Sequence, residues 1–230
     1  MATDIWSFLD HPKPDFIRFR HYGWRDVCTT FGYGQPYDWV CKETGLASPS
    51  LCRRPTGGGI VDHGNDWTYS LILPNGCMPA KETVQGVYLR VHQAMSVALS
   101  AFSVATNLLS CSEETCSERP RKIIPGRCFL EPVPRDLVLP NGGEKIAGAA
   151  IKKTRGGILL QGTVARDILP EKMDWVLFEE KFVEGLASSF LAKPVSEPWP
   201  ENLEEVRVSY AEQFASDCWL RKRRSTLLRR

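Results

Sequence analysis

The chain has 230 residues, 43% of them hydrophobic, which is enough for one ordinary domain with a buried core that needs no staples. Its formal net charge is only +2, so no strong field acts over the whole molecule and no nucleic-acid partner is expected. The opening "MATDIWSFLD" lacks a basic n-region and an apolar h-region, and the longest weakly polar run, "AMSVALSAFSVATNLL" from Ala94, is studded with serines and shorter than the ~20 residues of a membrane span; a soluble, cytoplasmic protein with no membrane partner is expected.

In chain order, residues 1–10 predict a short helix ended before Pro12. "FIRFR" (16–20) alternates apolar and basic residues and predicts a half-buried strand. "VCTTFGY" (27–33) is rich in β-branched and aromatic residues and predicts a second strand. "YDWVCKETG" predicts a short helix stopped by Gly45. "SLCRR", "GIVDH" and "WTYSLILP" predict strands, the first two joined by a tight glycine turn.

Residues 82–102 give the clearest helix, with Val84, Val87, Tyr88, Val91, Met95, Ala98, Leu99 and Phe102 at three- and four-residue spacing. A polar loop (110–122) follows. "RDLVL", "EKIAGAAI" and "GILLQGTV" predict three strands separated by "PNGG" and "KTRGG" turns. Trp175, Phe178, Phe182 and Phe190 stripe one closing helix, and Val206, Tyr210, Phe214 and Cys218 stripe another. The order of strands, helix, strands and two helices predicts a mixed α+β domain.

The eight cysteines form no C-x-x-C pair, and none has a histidine at zinc-ligand spacing, so no metal site is expected. Reduced thiols are expected, each most simply a small buried hydrophobe. The one marked charge bias is the terminal "RKRRSTLLRR", with six basic residues.

"RRPTGGGIVDHGNDWTYS" carries the strongest chemical signal. Three successive glycines permit positive φ and close backbone approach, and successive N–H groups in such a turn attract partly negative oxygens. With Arg54 supplying a formal charge, residues 54–59 read as a cradle for a carboxylate, phosphate or thioester oxygen. The simpler reading is a hairpin that needs glycine. The spacing fits neither a P-loop nor G-x-G-x-x-G before a helix.

That segment closely resembles the signature of the lipoate–protein ligase A and octanoyltransferase superfamily, the biotin/lipoate ligase catalytic domain. "FIRFRHYGWRDVCTTFGYGQ" looks like its first strand pair, ending in a G-x-x-Q turn. "GGEKIAGAAIKKTRGGILLQGTV" is similar to its lysine segment, and "YAEQFASDCWLRKR" to its closing helix. The resemblance implies a catalytic domain over residues 1–223, with a largely antiparallel mixed sheet packed by helices, and a basic tail over 224–230. It departs from the family in two places. The usual strand before the "M-A-x-D" helix is missing, so either that strand is dispensable or the chain begins late. Gly148-Ala149-Ala150 stands where the family often has G-S-A.

The resemblance gives Lys145 the role of the lysine that faces the acyl carbonyl; without it, Lys145 would read as a surface lysine after a turn. "RCFLEPVPRDLVLPNGGEK" matches the branch whose nucleophile, here Cys128, precedes that lysine in a C-F-x-x-P segment. Arg54, Thr56, Gly57, Gly58, Gly59, His63, Gly148, Ala149, Gln161 and Gly162 are implied to bind the acyl substrate. His63 is placed in the pocket wall or as an orienter of the glycine loop, with a general-base role as the alternative. The implied activity is transfer of an octanoyl or lipoyl group from acyl carrier protein to a lysine of a lipoyl domain, of the glycine cleavage H protein or dehydrogenase E2 type, with no tightly bound cofactor. The alternatives are an ATP- and Mg-dependent lipoate ligase, which needs no cysteine, and a non-catalytic acyl- or partner-binding module.

Overall fold

A computed structural model describes residues 1–77, 82–110, 126, 132–140 and 143–225. Strands β1 (Arg18–Tyr22), β5 (Asp66–Pro74), β9 (Gly157–Ala165), β8 (Lys145–Thr154), β7 (Leu137–Val138) and β6 (Asn107–Leu108) lie in that order in an antiparallel six-stranded sheet. A second sheet has the order β3 (Leu51–Arg53), β2 (Thr29–Phe31), β4 (Val61–Asp62). The domain is α+β, as the element order predicts.

The two faces of the large sheet have different work. Along β5, Trp67, Tyr69, Leu71 and Leu73 enter a core shared with α3 (Val84–Ser100) and α4 (Trp175–Ser189). Alternation sends Thr68 and Ser70 to the opposite face. Ser70 donates there to Asp4 of α1 (Ala2–Leu9) at 2.9 Å. Trp67, Tyr69, Phe178 and Phe182 meet mostly edge to face, with Tyr69 and Phe182 centroids 5.2 Å apart, a geometry that adds to the burial term. Helices α3 and α4 approach closely because Gly185 faces Ala94: a Cβ at 185 would stand 3.2 Å from Ala94 Cβ.

The helices have recognisable ends. Thr83 caps α3 by accepting from Gly86 N–H at 3.0 Å, and Asp174 caps α4 by accepting from Val176 and Leu177 N–H. Helix α2 (Tyr37–Thr44) stops at Gly45, whose φ of 70° is left-handed. A second core joins α1, α2, α5 (Leu203–Ala215) and α6 (Asp217–Leu220) to the small sheet.

Three expectations change. "FIRFR" gives a strand shifted by two residues, because the Arg18 guanidinium donates to the carbonyls of Lys13, Pro14 and Phe16 and fixes a turn there. "VCTTFGY" is trimmed to Thr29–Phe31; Gly32 and Tyr33 turn away to give their carbonyls to Arg53. The glycines join no hairpin: β3 pairs parallel with β2, β4 pairs antiparallel with β2, and the central β2 separates them. Strand β6, two residues long, gave no sequence signal.

Arg53 ties the C-terminal segment to this region. Its buried guanidinium donates to the carbonyls of Gly32, Tyr33, Gln35 and, twice, Leu220. Burial lowers its pKa to about 10. Trp219 Nε1 returns a bond to Arg53 O at 2.9 Å. Ser225 is anchored on Gln213 at 2.7 Å, and residues 226–230 of the basic tail lie outside the described residues.

Candidate active site

A cleft opens between the small sheet and the large-sheet face opposite α3 and α4. Seven residues singled out in the sequence line it: Arg54, Gly58, His63, Gly148, Ala149, Gln161 and Gly162. Segments far apart in the chain meet there because β8 and β9 pair as a hairpin, with Gly148 opposite Thr163 and Ala150 opposite Gln161. The hairpin turns at Gly157, where a Cβ would collide with the Leu73 carbonyl.

The glycine loop folds its carbonyls inward. Arg54 Nη2 donates to Gly57 O at 3.0 Å and Gly59 O at 2.6 Å. The Gly58 carbonyl packs so closely on Gly32 that a Cβ there would collide with it. The carbonyls of Gly57 and Gly59 are thus spent on Arg54, and that of Gly58 is packed against Gly32. Gly58 sits at φ 84°, the left-handed region that a bare glycine tolerates. Arg54 therefore does more than supply a nearby charge: its side chain is the scaffold of the cradle. Thr56 stands behind the loop, donating to Gln161 Oε1 at 3.0 Å, while Gln161 Nε2 donates to Asp4 at 2.7 Å. Burial by itself would raise the Asp4 carboxyl; the N-terminus, Arg20 and the bonds from Gln161 and Ser70 outweigh it and hold the pKa low.

His63 is buried in the wall. Its Nδ1 bonds Asp66 at 2.7 Å, its Nε2 meets Thr30 Oγ1 at 2.7 Å, and its ring stacks on Trp24 at 4.2 Å. Burial opposes the Asp66 charge, but His63 and the hydroxyls of Thr163 and Thr68 overcome it and keep the carboxyl pKa below its ordinary value.

Lys145 is no surface lysine. Its side chain is 2% exposed and pairs with the fully buried Asp136 at 2.8 Å. It lies beside Gly148, which lines the cleft: a Cβ at 148 would collide with Cε and Nζ of Lys145. Tyr88 donates to Asp136 and accepts from Ala149 N–H at 3.1 Å. That amide lies beyond the end of β7, whose pairing with β8 stops at Ala147, and the Tyr88 hydroxyl takes the place of a strand partner. Burial and Asp136 push the Tyr88 phenol far up. His92 faces the same cluster; Nδ1 bonds Arg135 O at 2.7 Å, and burial lowers its pKa to about 4.

Cys128 lies outside the described residues. Gly126, two residues before it in the chain, is described, and its carbonyl accepts from Ile60 N–H at 2.8 Å, immediately before β4 at the cleft. The five described cysteines are free, four half-buried and Cys218 exposed, so none matches the expected fully buried hydrophobe. Burial pushes the Cys28 thiol up to about 12 and raises that of Cys52. Neither thiol is primed as a nucleophile.

Sequence reasoning missed Trp24, Thr30, Asp66, Tyr88 and Asp136 as parts of the site and its support. Thr30 sits in an ordinary strand context; Asp136 falls in the segment that resembles the family's C-F-x-x-P-x-x-x-[DE]-L-V, but nothing local marks it as the partner of Lys145. Asp66, three residues after His63, offered a spacing that could have been tried as a pair.

The cleft, glycine loop and buried lysine belong to a lipoyl-ligase type of catalytic domain. The chain is a member of the Lipoyl protein ligase A/B catalytic domain family, which matches residues 4–198. Among characterised relatives it is similar to octanoyltransferase LipM of Halalkalibacterium halodurans, 29% identical over 218 residues that cover 87% of this chain and 74% of the relative. It is also similar to LipM of Staphylococcus epidermidis, 30% identical, with 85% and 72% covered. The fold matches lipoate-protein ligase A bound with ATP (TM-score 0.68, 15% identity, 95% and 91% covered). It equally matches a bi-partite lipoate protein ligase from Thermoplasma acidophilum, solved in a study of that ligase and its E2 lipoyl domain (TM-score 0.67, 14% identity, 98% and 91% covered). Among the described residues no helix is long and apolar enough to cross a membrane.

Proposed function

We propose that this protein is an octanoyltransferase of lipoate biosynthesis, acting in the cytoplasm without a tightly bound cofactor. It moves an octanoyl (or lipoyl) group from acyl carrier protein to a lysine of a lipoyl domain, of the glycine cleavage H protein or dehydrogenase E2 type, through an acyl-enzyme on Cys128. The observation that carries the reading is convergence. The inward-folded glycine loop, Lys145 and the chain just ahead of Cys128 meet at one cleft, in a chain related over most of its length to octanoyltransferases.

The chemistry proceeds in two balanced steps. The Cys128 thiolate attacks the carrier's thioester carbonyl; a new S–C bond forms, the old S–C bond breaks, and the carrier leaves as a thiol after taking up a proton. The ε-amine of the acceptor lysine then attacks the acyl-enzyme. An amide forms, Cys128 departs as thiolate, and the amine loses its proton to the medium or to the departing sulfur. Both steps pass through an oxyanion. The N–H groups of the glycine loop and the Lys145 ammonium beside Gly148 are the donors and charge that stabilise it, an effect worth about 3–4 kcal/mol per well-placed donor.

The test is the cofactor requirement. Full-length protein is incubated with octanoyl carrier protein without ATP, and separately with octanoate plus ATP and Mg, and followed by intact mass. The transferase gives an octanoyl adduct in the first mixture. An adduct or a modified lipoyl domain only in the second would make the protein a ligase.

A further inference from the structure

A hydrogen-bond chain runs through the cleft wall. Asp66 Oδ2 takes His63 Nδ1 at 2.7 Å, the Thr68 hydroxyl at 2.7 Å and the Thr163 hydroxyl. A carboxylate only accepts, so Nδ1 carries the proton of that bond. Thr30 Oγ1 lies 2.7 Å from His63 Nε2 and 2.7 Å from Arg54 Nη1. A guanidinium only donates. Thr30 therefore accepts from Arg54, which leaves its own hydroxyl proton free to go to Nε2. The chain ends where Arg54 Nη2 grips the carbonyls of Gly57 and Gly59. Trp24 braces it, stacking on His63 and donating from Nε1 to Thr68 Oγ1 at 2.9 Å.

We propose that Thr30 and Asp66 are positioning residues of the acyl transfer, using His63 as a doubly bonded spacer, with Nε2 accepting from Thr30, to hold Arg54 against the carbonyl edge of the glycine loop. The proposal deepens the octanoyl-transfer reading and rests on it. With that edge held, the N–H edge stays aimed at the acyl oxygen. The same geometry removes His63 from proton transfer. A general base needs a nitrogen within hydrogen-bond reach of the proton it takes, and both ring nitrogens are spent inside the wall. Thr30 is fully buried and donates its proton only inward, so its hydroxyl serves the loop rather than the substrate.

The experiment compares full-length Thr30→Val, Thr30→Ser, His63→Ala and His63→Gln with the wild type. A glutamine amide can donate to Asp66 and accept from Thr30 but does not titrate. Rates of octanoyl transfer are measured as kcat and KM across the neutral pH range beside thermal melts, and the His63 tautomer is read by nitrogen NMR of the wild type. Thr30→Val is expected to lose about 100-fold in kcat, the scale of a misplacement near 1 Å. Thr30→Ser is expected to recover most of that loss. His63→Gln should recover most of the rate lost in His63→Ala and keep the same pH limbs, and the wild-type ring should show Nδ1–H with bare Nε2. A His63→Gln enzyme as slow as His63→Ala that also loses a pH limb would make His63 the base. A Thr30→Val enzyme at wild-type rate would show that the chain does not position the loop, and an Nε2–H or doubly protonated ring would overturn its direction. A wild type that transfers from no octanoyl donor would instead overturn the parent reading, and the ring NMR would still report on the chain.

Discussion

Gly148→Ala tests whether the Lys145 tip is placed to act on the acyl carbonyl. The substitution adds one methyl at a position with an ordinary backbone conformation, so no φ strain enters. The new Cβ would stand 2.3 Å from Lys145 Cε and 2.5 Å from Nζ, whereas ordinary contact begins at 3.4 Å, so about 1.1 Å must be found. The β8 backbone is pinned by pairing with β9, so the lysine tip must give way. It is held by Asp136 at 2.8 Å. At an effective dielectric of about 20, stretching that pair by about 1 Å costs at most roughly 1.5 kcal/mol. For a chain of this size such a loss lowers Tm by about 3–6 °C. The same shift at a group facing the reacting carbonyl costs about 100-fold in rate. Quenched-flow acylation followed by intact mass, with thermal melts beside it, separates the two effects. Lys145→Ala should fall at least as far in rate. A Gly148→Ala enzyme that acylates at wild-type rate, or that loses rate only in proportion to unfolding, would refute the placement of Lys145 at the acyl carbonyl.

Gly58→Val puts a β-branched residue at φ 84° and aims its Cβ between Arg54 and Ala150; acylation is expected to disappear while circular dichroism stays that of a folded protein, and a folded variant that still acylates would reduce the glycines to a turn. His92 is buried with its pKa lowered to about 4, against about 6.5 unfolded, so the unfolded chain binds the proton first and stability falls as pH drops from about 6.5 to about 4. Urea melts at neutral and acid pH should show His92→Gln losing less stability on acidification than the wild type, by on the order of 3 kcal/mol; equal losses would place the acid sensitivity elsewhere. Deletion of residues 226–230 should raise KM for acyl carrier protein at low ionic strength, closing at high salt, because a basic terminus steers an acidic partner. The cut falls after Ser225, since Leu220 and Ser225 are bonded into the domain. An unchanged KM at low salt would remove Arg229 and Arg230 from recognition.

Periodicity was enough to find α2, α3, α4 and the β8–β9 hairpin, because their apolar spacings match one covered face each. Glycine chemistry was enough to mark the cradle. What it could not show is which way the loop's carbonyls point, since that depends on Arg54 reaching back from the same segment and on Gly32 from another. The hairpin expected around the glycines failed because β2, earlier in the chain, inserts between β3 and β4. Nearest-neighbour pairing is a sound default, and only tertiary packing overrides it. Lys145 was marked by family resemblance alone. Its partner Asp136, nine residues earlier, becomes a partner only through the β7–β8 pairing. Thr30 and Asp66 were hidden for the same reason. A buried hydroxyl or carboxylate acquires its role from what the fold sets within about 3 Å of it.

The central claim is that Cys128 carries the acyl group between two proteins. The most direct measurement isolates the protein after reaction with octanoyl carrier protein, removes the donor, and adds lipoyl domain alone. The account predicts a hydroxylamine-sensitive octanoyl adduct on the Cys128 peptide that passes to the domain lysine as the enzyme returns to its unmodified mass. Cys128→Ser should not pass octanoyl to the domain, while Cys52→Ser and Cys218→Ser behave as wild type. A Cys128→Ser protein that still modifies the lipoyl domain, or an adduct that never leaves Cys128, would contradict it.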